Sequence, residues 1–249
     1  QKAKKKYIRY QRQEILKTKN KKKGNFLDAL KIYKKKLIEN KNDYKIYYNI
    51  GCLLFELGKI HQANYHFIKS KNLNPKFADI SWRQSLCALT LKDFKNGFLL
   101  YEDRWKRENH PNKKFDNIKS PNNISEIKGK KILIWDEQGL GDTVNFSRFV
   151  IDILKFTKKV TFVVDKKLKD ILSNIDKDIY VTDYESLNKI DYDFQIALGS
   201  LPKLLNILTT DDIKFYKLSL PEKKTQKNII NNDKFNVGLA WSGNPNYPM

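Results

Sequence analysis

The residues best placed to do chemistry lie in the short run Glu137–Asp142, where two glycines one residue apart precede a carboxylate. The apolar run Ile132–Trp135 before it has the length and composition of a buried strand, and an amphipathic helical pattern begins near Thr143. A strand, a Gly-rich turn and a helix start place backbone N–H groups and the positive end of a helix dipole around a small site. The pattern therefore predicts a site for an anion or a hydroxyl group, with Asp142 as a group that can take a proton.

This run does not match the common phosphate-binding loops. No Gly-Lys-Ser/Thr follows as in a Walker loop, and Asn145 stands where the third glycine of a dinucleotide fingerprint is expected. Asp142 has a second interpretation, because an acidic residue immediately before a helix can cap it, a contribution of ~1 kcal/mol. Glu137 could pair with a lysine, and Arg148 could pair with Glu137 or Asp152 or face a phosphate. The residues alone thus leave structural and functional roles open for these charges.

The composition indicates a folded and strongly basic chain of 249 residues. Hydrophobic residues make up 40%, and no apolar run approaches the ~18 residues of a membrane span. The formal net charge of +21 could indicate an anionic partner such as nucleic acid. However, nearly all of the 49 basic residues are lysines, whereas base-reading and bidentate phosphate sites favour arginine. We therefore favour a compositional bias and predict no specific nucleic-acid partner.

The cysteines and histidines give no sign of a metal site. Cys52 and Cys87 lie in apolar helical patterns without a C-x-x-C spacing, which predicts buried thiols in a reducing compartment and hence a cytoplasmic protein. His61, His66 and His110 show no ligand spacing with cysteines or carboxylates. We therefore predict that no residue of this chain binds a metal.

A 34-residue period runs through the first ~110 residues. Three sets of residues share this offset: Phe26, Ile60 and Phe94; Ala29, Ala63 and Gly97; and Tyr33, Phe67 and Tyr101. Small residues at one helix–helix contact, with an aromatic residue four positions later, resemble the tetratricopeptide repeat. Each helix pair leaves an apolar face that a neighbouring pair can bury, so we expect three stacked pairs. Such pairs could form a peptide-binding groove or, as we favour, a structural arm that orients the next domain.

Strand-like and helix-like runs alternate after residue 128. The predicted strands are Lys131–Trp135, Val160–Val164, Ile179–Thr182, Phe194–Leu198 and Val237–Trp241. The predicted helices between the first four are Thr143–Phe156, Lys167–Ile175 and Leu201–Leu208. This alternation predicts a mostly parallel, Rossmann-like sheet with helices on both faces, whose ligands bind at the carboxyl ends of the strands. The fold class expected for the whole chain is therefore α-helical repeats followed by an α/β domain.

Four segments occur in a characteristic order. They are Gly97-Phe98 with Tyr101–Trp105, Glu137–Asp142 with Phe146-x-Arg148-Phe149, Asp193-Phe194 with Leu198–Pro202, and Val237–Pro245. Together they resemble bacterial tetratricopeptide proteins with a heptosyltransferase-like (family nine) glycosyltransferase domain, over roughly residues 44–249. The resemblance implies the two-domain GT-B architecture. It divides the chain into helical repeats at 1–110, a linker at 111–128, a Rossmann-like acceptor-side domain at 129–235 and the beginning of a donor-binding domain at 236–249.

The same resemblance implies an activity. A sugar would pass from a nucleotide-sugar donor to a hydroxyl group of a glycan, lipid-linked or protein acceptor, without a metal or other cofactor. Asp142 would be the catalytic base. Six residues would bind substrate: Gly139, Gly141, Asn145, Trp241, Ser242 and Asn244.

Two qualifications follow from the resemblance. The family's remaining donor-binding domain is missing from these 249 residues, so we expect the chain to be a truncated piece that is inactive alone. The alternative function is a tetratricopeptide scaffold that binds a protein partner, with a non-catalytic α/β domain.

Overall fold

A computed structural model describes residues 24–108, 113–187 and 191–216 of the chain. Within these ranges the chain divides into two compact units, residues 24–73 and residues 74–216. The first unit contains helices α1 (Gly24–Glu39), α2 (Tyr44–Glu56) and α3 (Ile60–Leu73). None of the described helices is long and apolar enough to cross a membrane.

The second unit combines one further helix pair with a sheet. The pair is α4 (Ala78–Thr90) and α5 (Phe94–Tyr101), followed at once by a 3₁₀ turn, Glu102–Lys106. The remaining elements are β1 (Lys131–Trp135), α6 (Leu140–Phe146), α7 (Arg148–Ile153), β2 (Lys159–Val164), α8 (Lys166–Leu172), β3 (Ile179–Asp183), β4 (Phe194–Ala197) and α9 (Leu201–Leu204). The predicted fold class, helical repeats followed by a parallel α/β sheet, is confirmed; the domain bounds drawn from the sequence stay predictions.

The 34-residue period of the sequence corresponds to the spacing between equivalent helices along the chain. Helices α2 and α4 begin 34 residues apart, and so do α3 and α5. The turns inside the two pairs also correspond, because Gly58 and Lys92 both have a positive φ, of 73° and 64°. The repeat is therefore a structural unit of two helices and one left-handed turn.

Small residues allow the two helices of a pair to approach closely. A Cβ atom on Gly51 of α2 would lie 2.6 Å from the ring of Phe67 on α3, and Phe67 is fully buried. In the second unit, a Cβ atom on Gly97 of α5 would lie 2.6 Å from the Leu89 side chain of α4. Cys52 and Cys87, on α2 and α4, are buried free thiols, as predicted.

The four strands form a parallel sheet in the order β3-β2-β1-β4. Trp135, the last residue of β1, lies beside Val163 of β2 and Ala197 of β4. Along the chain, β2 and β3 follow on one side of β1, and β4 then pairs with the other side of β1. In open α/β sheets, the point at which the strand order reverses is where ligands bind, outside the carboxyl ends of the strands. Here that point lies between β1 and β4.

Within the described ranges, helices pack on one face of the sheet, whereas the sequence predicted helices on both faces. The second face carries Leu133, Trp135, Val163 and Ala197, and the described residues that pack on it lie in the 3₁₀ turn and in irregular segments: Trp105, Phe115, Ile118, Tyr184, Leu187 and Tyr192. The described parts of the β3–β4 connection contribute Tyr184, Leu187 and Tyr192 to this face.

Some predicted element bounds are also wrong. The predicted helix Thr143–Phe156 is two short helices that meet at Ser147, whose hydroxyl donates to the Val144 carbonyl oxygen (2.7 Å). Helices α8 and α9 end earlier than predicted, α9 shortly before Asn206, which has a φ of 56°. The predicted strand Val237–Trp241 lies outside the described residues.

Candidate functional site

The candidate site is formed by the loops that follow β1 and β4, on either side of the switch point. Helix α6 begins directly after the first loop, with Gly139 as its N-cap, and the 3₁₀ turn Leu198–Ser200 follows β4. The depression between them is lined by Glu137, Gln138, Asp142, Thr143, Phe146, Leu198 and Gly199. Its volume is only ≈ 10 Å³, about the space of one water, so a larger ligand has to bind at its exposed rim.

Asp142 is exposed at the rim of this depression, in the first turn of α6. The alternative role of N-cap is wrong for Asp142, because the helix starts at Leu140, earlier than the apolar pattern predicted. The Asp142 carboxylate forms no hydrogen bond or ion pair with any other residue in the described ranges. Its oxygens are therefore available to accept a hydrogen bond or a proton from a ligand.

Four other carboxylates at the same sheet edge have partners. Asp136 Oδ2 accepts from the Asp165 backbone N–H (2.7 Å), and Asp136 Oδ1 accepts from the Tyr184 hydroxyl. Asp165 caps α8, and Asp183 pairs with Lys169 (2.6 Å). Glu137, the fourth, is bound by Arg104. Within the part of the chain that the structure describes, Asp142 is thus the one carboxylate at this edge that is not engaged.

The two glycines before Asp142 have no packing reason to lack a side chain. A Cβ atom on Gly141 would meet nothing within 4 Å, and one on Gly139 would meet only Asp142 Oδ2, at 3.3 Å. Both residues are exposed. Open space above these positions is compatible with the close approach of a ligand to the backbone.

Asn145 and Arg148 lie at a different surface from the Asp142 depression. Arg148 donates from Nε to the Asn145 carbonyl oxygen (2.8 Å) and from Nη2 to Asn145 Oδ1 (3.0 Å). The expected pairing of Arg148 with Glu137 or Asp152 is wrong, since those two carboxylates bind Arg104 and Lys155. Both residues line a groove of ≈ 450 Å³ together with Gly141, Val144, Ser147, Ile151, Ile175, Phe215 and Tyr216.

Arg104, in the 3₁₀ turn after α5, connects the two loops of the site. Its side chain is fully buried, and all five of its N–H donors have acceptors. Nε and Nη2 bind the two oxygens of Glu137 (2.8 and 2.7 Å), and Nη2 also binds Ser200 Oγ (2.8 Å). Nη1 binds Glu102 Oε1 (2.7 Å) and the Tyr101 carbonyl oxygen (3.2 Å). Burial alone would lower the pKa of Arg104, but the hydrogen bonds and charges of Glu137 and Glu102 outweigh burial and raise it.

Glu137 completes the connection. Its Oε1 also accepts the backbone N–H of Gly199 (2.7 Å), and a Cβ atom on Gly199 would lie 2.6 Å from that oxygen. Gln138 donates through Nε2 to the Tyr101 hydroxyl, and burial raises the pKa of Tyr101. Glu137 therefore pairs with a bidentate arginine, where the sequence suggested pairing with a lysine.

The sequence pattern predicts no catalytic or binding role for Arg104, although Arg104 lies in one of the four ordered segments. A signal was present, since arginine is rare in this chain and lysine abundant. A bidentate, fully buried contact requires the planar guanidinium, so a lone arginine amid lysines marks such a position.

The remaining predicted site residues cannot be placed. Trp241, Ser242 and Asn244 lie outside the described residues. Across the described ranges, no group of three or more His, Cys, Asp or Glu side chains is arranged to bind a metal ion.

The fold and the site together define a class of protein: helical repeats combined with a parallel α/β sheet whose candidate site lies at the switch point. No family model and no curated protein matches the chain. Solved structures are similar to part of the chain. The MamA protein is 21% identical over 32% of this chain and 44% of its own, with a TM-score of 0.31. The TPR2B domain of yeast Sti1, in a complex with pHsp70, is 20% identical over 34% of this chain and 68% of its own, with a TM-score of 0.32.

A third structure contains a transferase. A mutant of the Thermobaculum terrenum O-GlcNAc transferase is 12% identical over 66% of this chain and 39% of its own, with a TM-score of 0.33. The chain thus spans less than half the length of the MamA and O-GlcNAc transferase structures.

Proposed function

We propose that the protein containing this chain is a glycosyltransferase, which moves a sugar from a nucleotide-sugar donor to an acceptor hydroxyl group, with Asp142 as the general base. One observation carries the proposal: Asp142 is the carboxylate at the switch point that has no partner among the described residues. An available carboxylate at the ligand-binding edge of a parallel sheet is suited to take a proton from a bound hydroxyl.

The surroundings of Asp142 support this proposal. Gly139 and Gly141 leave open space in which a ligand can approach the backbone. Three of the four segments on which the resemblance to glycosyltransferases depends contact one another here, through Arg104, Glu137 and Gly199. Donor binding by Trp241, Ser242 and Asn244 remains part of the proposal, as does the absence of a metal or other cofactor from the reaction.

In the proposed reaction, Asp142 takes the proton of the acceptor hydroxyl as that oxygen bonds to the anomeric carbon of the sugar. The bond from this carbon to the nucleoside diphosphate breaks, and its electron pair leaves with the diphosphate. Because Asp142 is exposed, the proton can then pass to solvent. General-base assistance of this kind typically contributes ~10²–10⁴-fold to the rate.

Replacing the base tests the proposal in the intact protein that contains this chain. The release of nucleoside diphosphate from a panel of nucleotide sugars is measured for the wild type, for Asp142→Asn and for Asp170→Asn. Asp170 is the matched control, because it is an exposed aspartate on α8, away from the depression. We expect Asp142→Asn to lower kcat by ~10²–10⁴-fold and Asp170→Asn to have no effect.

Two results would contradict the proposal. Full activity of Asp142→Asn would exclude Asp142 as the base. Failure of the intact protein to bind any nucleotide sugar would exclude the transferase. In that case, capture of a protein partner that depends on the helical repeats would favour the alternative, a tetratricopeptide scaffold with a non-catalytic α/β domain.

A further inference from the structure

We infer that Arg104 is a positioning residue of the site: from the end of the last helical repeat, it holds the loop of Asp142 against the loop that follows β4. The inference rests on the proposed function for its effect on catalysis. Its structural basis is the set of contacts by which one guanidinium joins three segments of the chain, represented by Glu102, Glu137 and Ser200.

No other side chain can make these contacts of Arg104. The guanidinium of Arg104 is fully buried and supplies five donors in a fixed plane, all of them used. A lysine would keep the positive charge, but its ammonium has three donors and cannot bind Glu137 with two parallel hydrogen bonds. The Arg104→Lys variant therefore keeps the positive charge but loses the planar set of five donors.

Arg104 is linked to Asp142 through Glu137 and Gln138. Glu137 follows the end of β1 by two residues, and Arg104 fixes both of its carboxylate oxygens. The next side chain, Gln138, donates to the Tyr101 hydroxyl. Only Gly139 then separates these two restrained residues from the first turn of α6, in which Asp142 lies. A displacement of Glu137 therefore displaces Asp142 with it.

The opposite wall of the depression, formed by the loop after β4, is bound by the same cluster. Glu137 Oε1 receives the Gly199 N–H (2.7 Å), and Ser200 Oγ contacts both Arg104 (2.8 Å) and Glu102 (3.2 Å). The separation of the two loops is thus set by a single buried cluster. Since Tyr101, Glu102 and Arg104 come from α5 and the turn after it, the last helical repeat completes the site and is more than an arm that orients the sheet.

The experiment compares Arg104→Lys with Arg107→Lys in the intact protein. Arg107 is three residues away, binds Asp79 and stacks on Trp82 with 3.8 Å between its guanidinium carbon and the ring centroid, but it does not touch either loop. Two quantities are measured: kcat and donor KM for nucleotide-sugar turnover, and amide hydrogen exchange in residues 137–142 and 198–200.

For Arg104→Lys we expect a fall in kcat of ~10–10²-fold at an unchanged donor KM, because a displacement of about 1 Å can cost that much. Amide exchange in both loops should become at least about tenfold faster, because local opening of the loops costs less free energy without the arginine contacts. Arg107→Lys should change neither quantity, although it also replaces a paired and stacked arginine.

Several results would overturn the inference. It fails if Arg104→Lys keeps wild-type kcat and wild-type exchange, or if Arg107→Lys reproduces its effects, which would indicate a general loss of stability. If Arg104→Lys does not fold, Ser200→Ala removes one acceptor of the same guanidinium, and unchanged exchange in residues 198–200 would then overturn the inference. If the wild type turns over no nucleotide sugar, the proposed function has failed, and the exchange comparison still decides whether Arg104 holds the two loops together.

Discussion

Glu137 lies in the loop after β1 and Asp142 five residues later in the first turn of α6, yet their surroundings give them different roles. Glu137 has both oxygens bound by Arg104 and one also by the Gly199 N–H, so it has a structural role. Asp142 is exposed and has no partner in the described ranges. A carboxylate whose lone pairs already accept hydrogen bonds within the protein has few left for a ligand, whereas an unengaged carboxylate is available to one.

The Gly199 position provides a residue-scale prediction. A Cβ atom there would lie 2.6 Å from Glu137 Oε1 and 3.2 Å from the Tyr101 ring, so Gly199→Ala must push the buried cluster apart. We expect it to lower the free energy of unfolding by ~1–3 kcal/mol, as measured by urea denaturation of the chain.

Gly141→Ala is the matched control for that measurement. Its Cβ atom would meet nothing within 4 Å, and alanine is favoured over glycine inside a helix by ~1 kcal/mol. Gly141→Ala should therefore be neutral or stabilising. Equal losses of stability in the two variants would show that close contact at Gly199 is not the cause.

At the scale of elements, each helix pair is closed by one residue in the left-handed conformation. In the first unit this residue is glycine, Gly58, and in the second unit it is Lys92. Both are exposed, so the difference between them concerns the backbone rather than packing. Left-handed backbone costs a residue with a Cβ atom ~1–2 kcal/mol, a cost that glycine largely avoids.

Exchanging the residue types at these turns tests that interpretation. We expect Lys92→Gly to raise the free energy of unfolding by about 1 kcal/mol and Gly58→Lys to lower it by a similar amount. Both are measured by urea denaturation at neutral pH. If both exchanges destabilise the chain, backbone strain does not dominate at Lys92.

The ion pair between Lys169 of α8 and Asp183 of β3 predicts a pH dependence. The Lys169 hydrogen bond, followed by the Ser186 backbone N–H, holds the pKa of Asp183 well below its usual range. A depressed folded-state pKa stabilises the fold above the unfolded pKa of ~3.9, and this stabilisation is lost as the pH falls through the folded-state value.

Asp183→Asn should accordingly be less stable than the wild type at pH 7, with a difference that shrinks as the pH falls below ~3.9. Urea unfolding at a series of pH values measures this difference. Asp170→Asn, an exposed position next to Lys169 on α8, should match the wild type throughout. A pH-independent difference for Asp183→Asn would exclude the ion pair as the cause.

At the scale of the whole molecule, the formal net charge of +21 acts on every part of the chain. A large net charge of one sign destabilises the compact state through self-repulsion, and salt screens that repulsion. In the described residues Arg104 and Arg107 are both committed to ion pairs within the chain. Most of the 49 basic residues are lysines, so the excess charge is mainly lysine charge.

Raising the ionic strength should for this reason stabilise the chain. We expect the midpoint of thermal unfolding to increase between about 0.02 and about 0.2 M NaCl, as the Debye length falls below ~10 Å. An uncharged solute at equal osmolality is the control. A midpoint that is constant or falls with salt would indicate that attractive ion pairs outweigh the repulsion.

Part of the site could be predicted from the sequence and part could not. The loop that carries Asp142 was predicted at the carboxyl end of a strand, because a buried run, two glycines and a helical pattern are local signals. Arg104 and Glu137 are 33 residues apart, and their pairing leaves no periodic trace. Likewise, Asn145 follows Asp142 by three residues in α6 but lines a separate groove, because distant segments complete the two sites: Leu198 and Gly199 beside Asp142, and Ile175, Phe215 and Tyr216 beside Asn145.

The sequence by itself determined the repeat, the order of strands and helices, the buried thiols and the position of the loop, because periodicity and composition act over short stretches of chain. Tertiary structure decided which carboxylates are engaged, which face of the sheet the helices cover and which predicted residues share a site. Those outcomes depend on strand order and on contacts between distant segments, such as the five hydrogen bonds of Arg104. These contacts matter for stability mainly because they are buried, where a polar or charged group without a partner is costly.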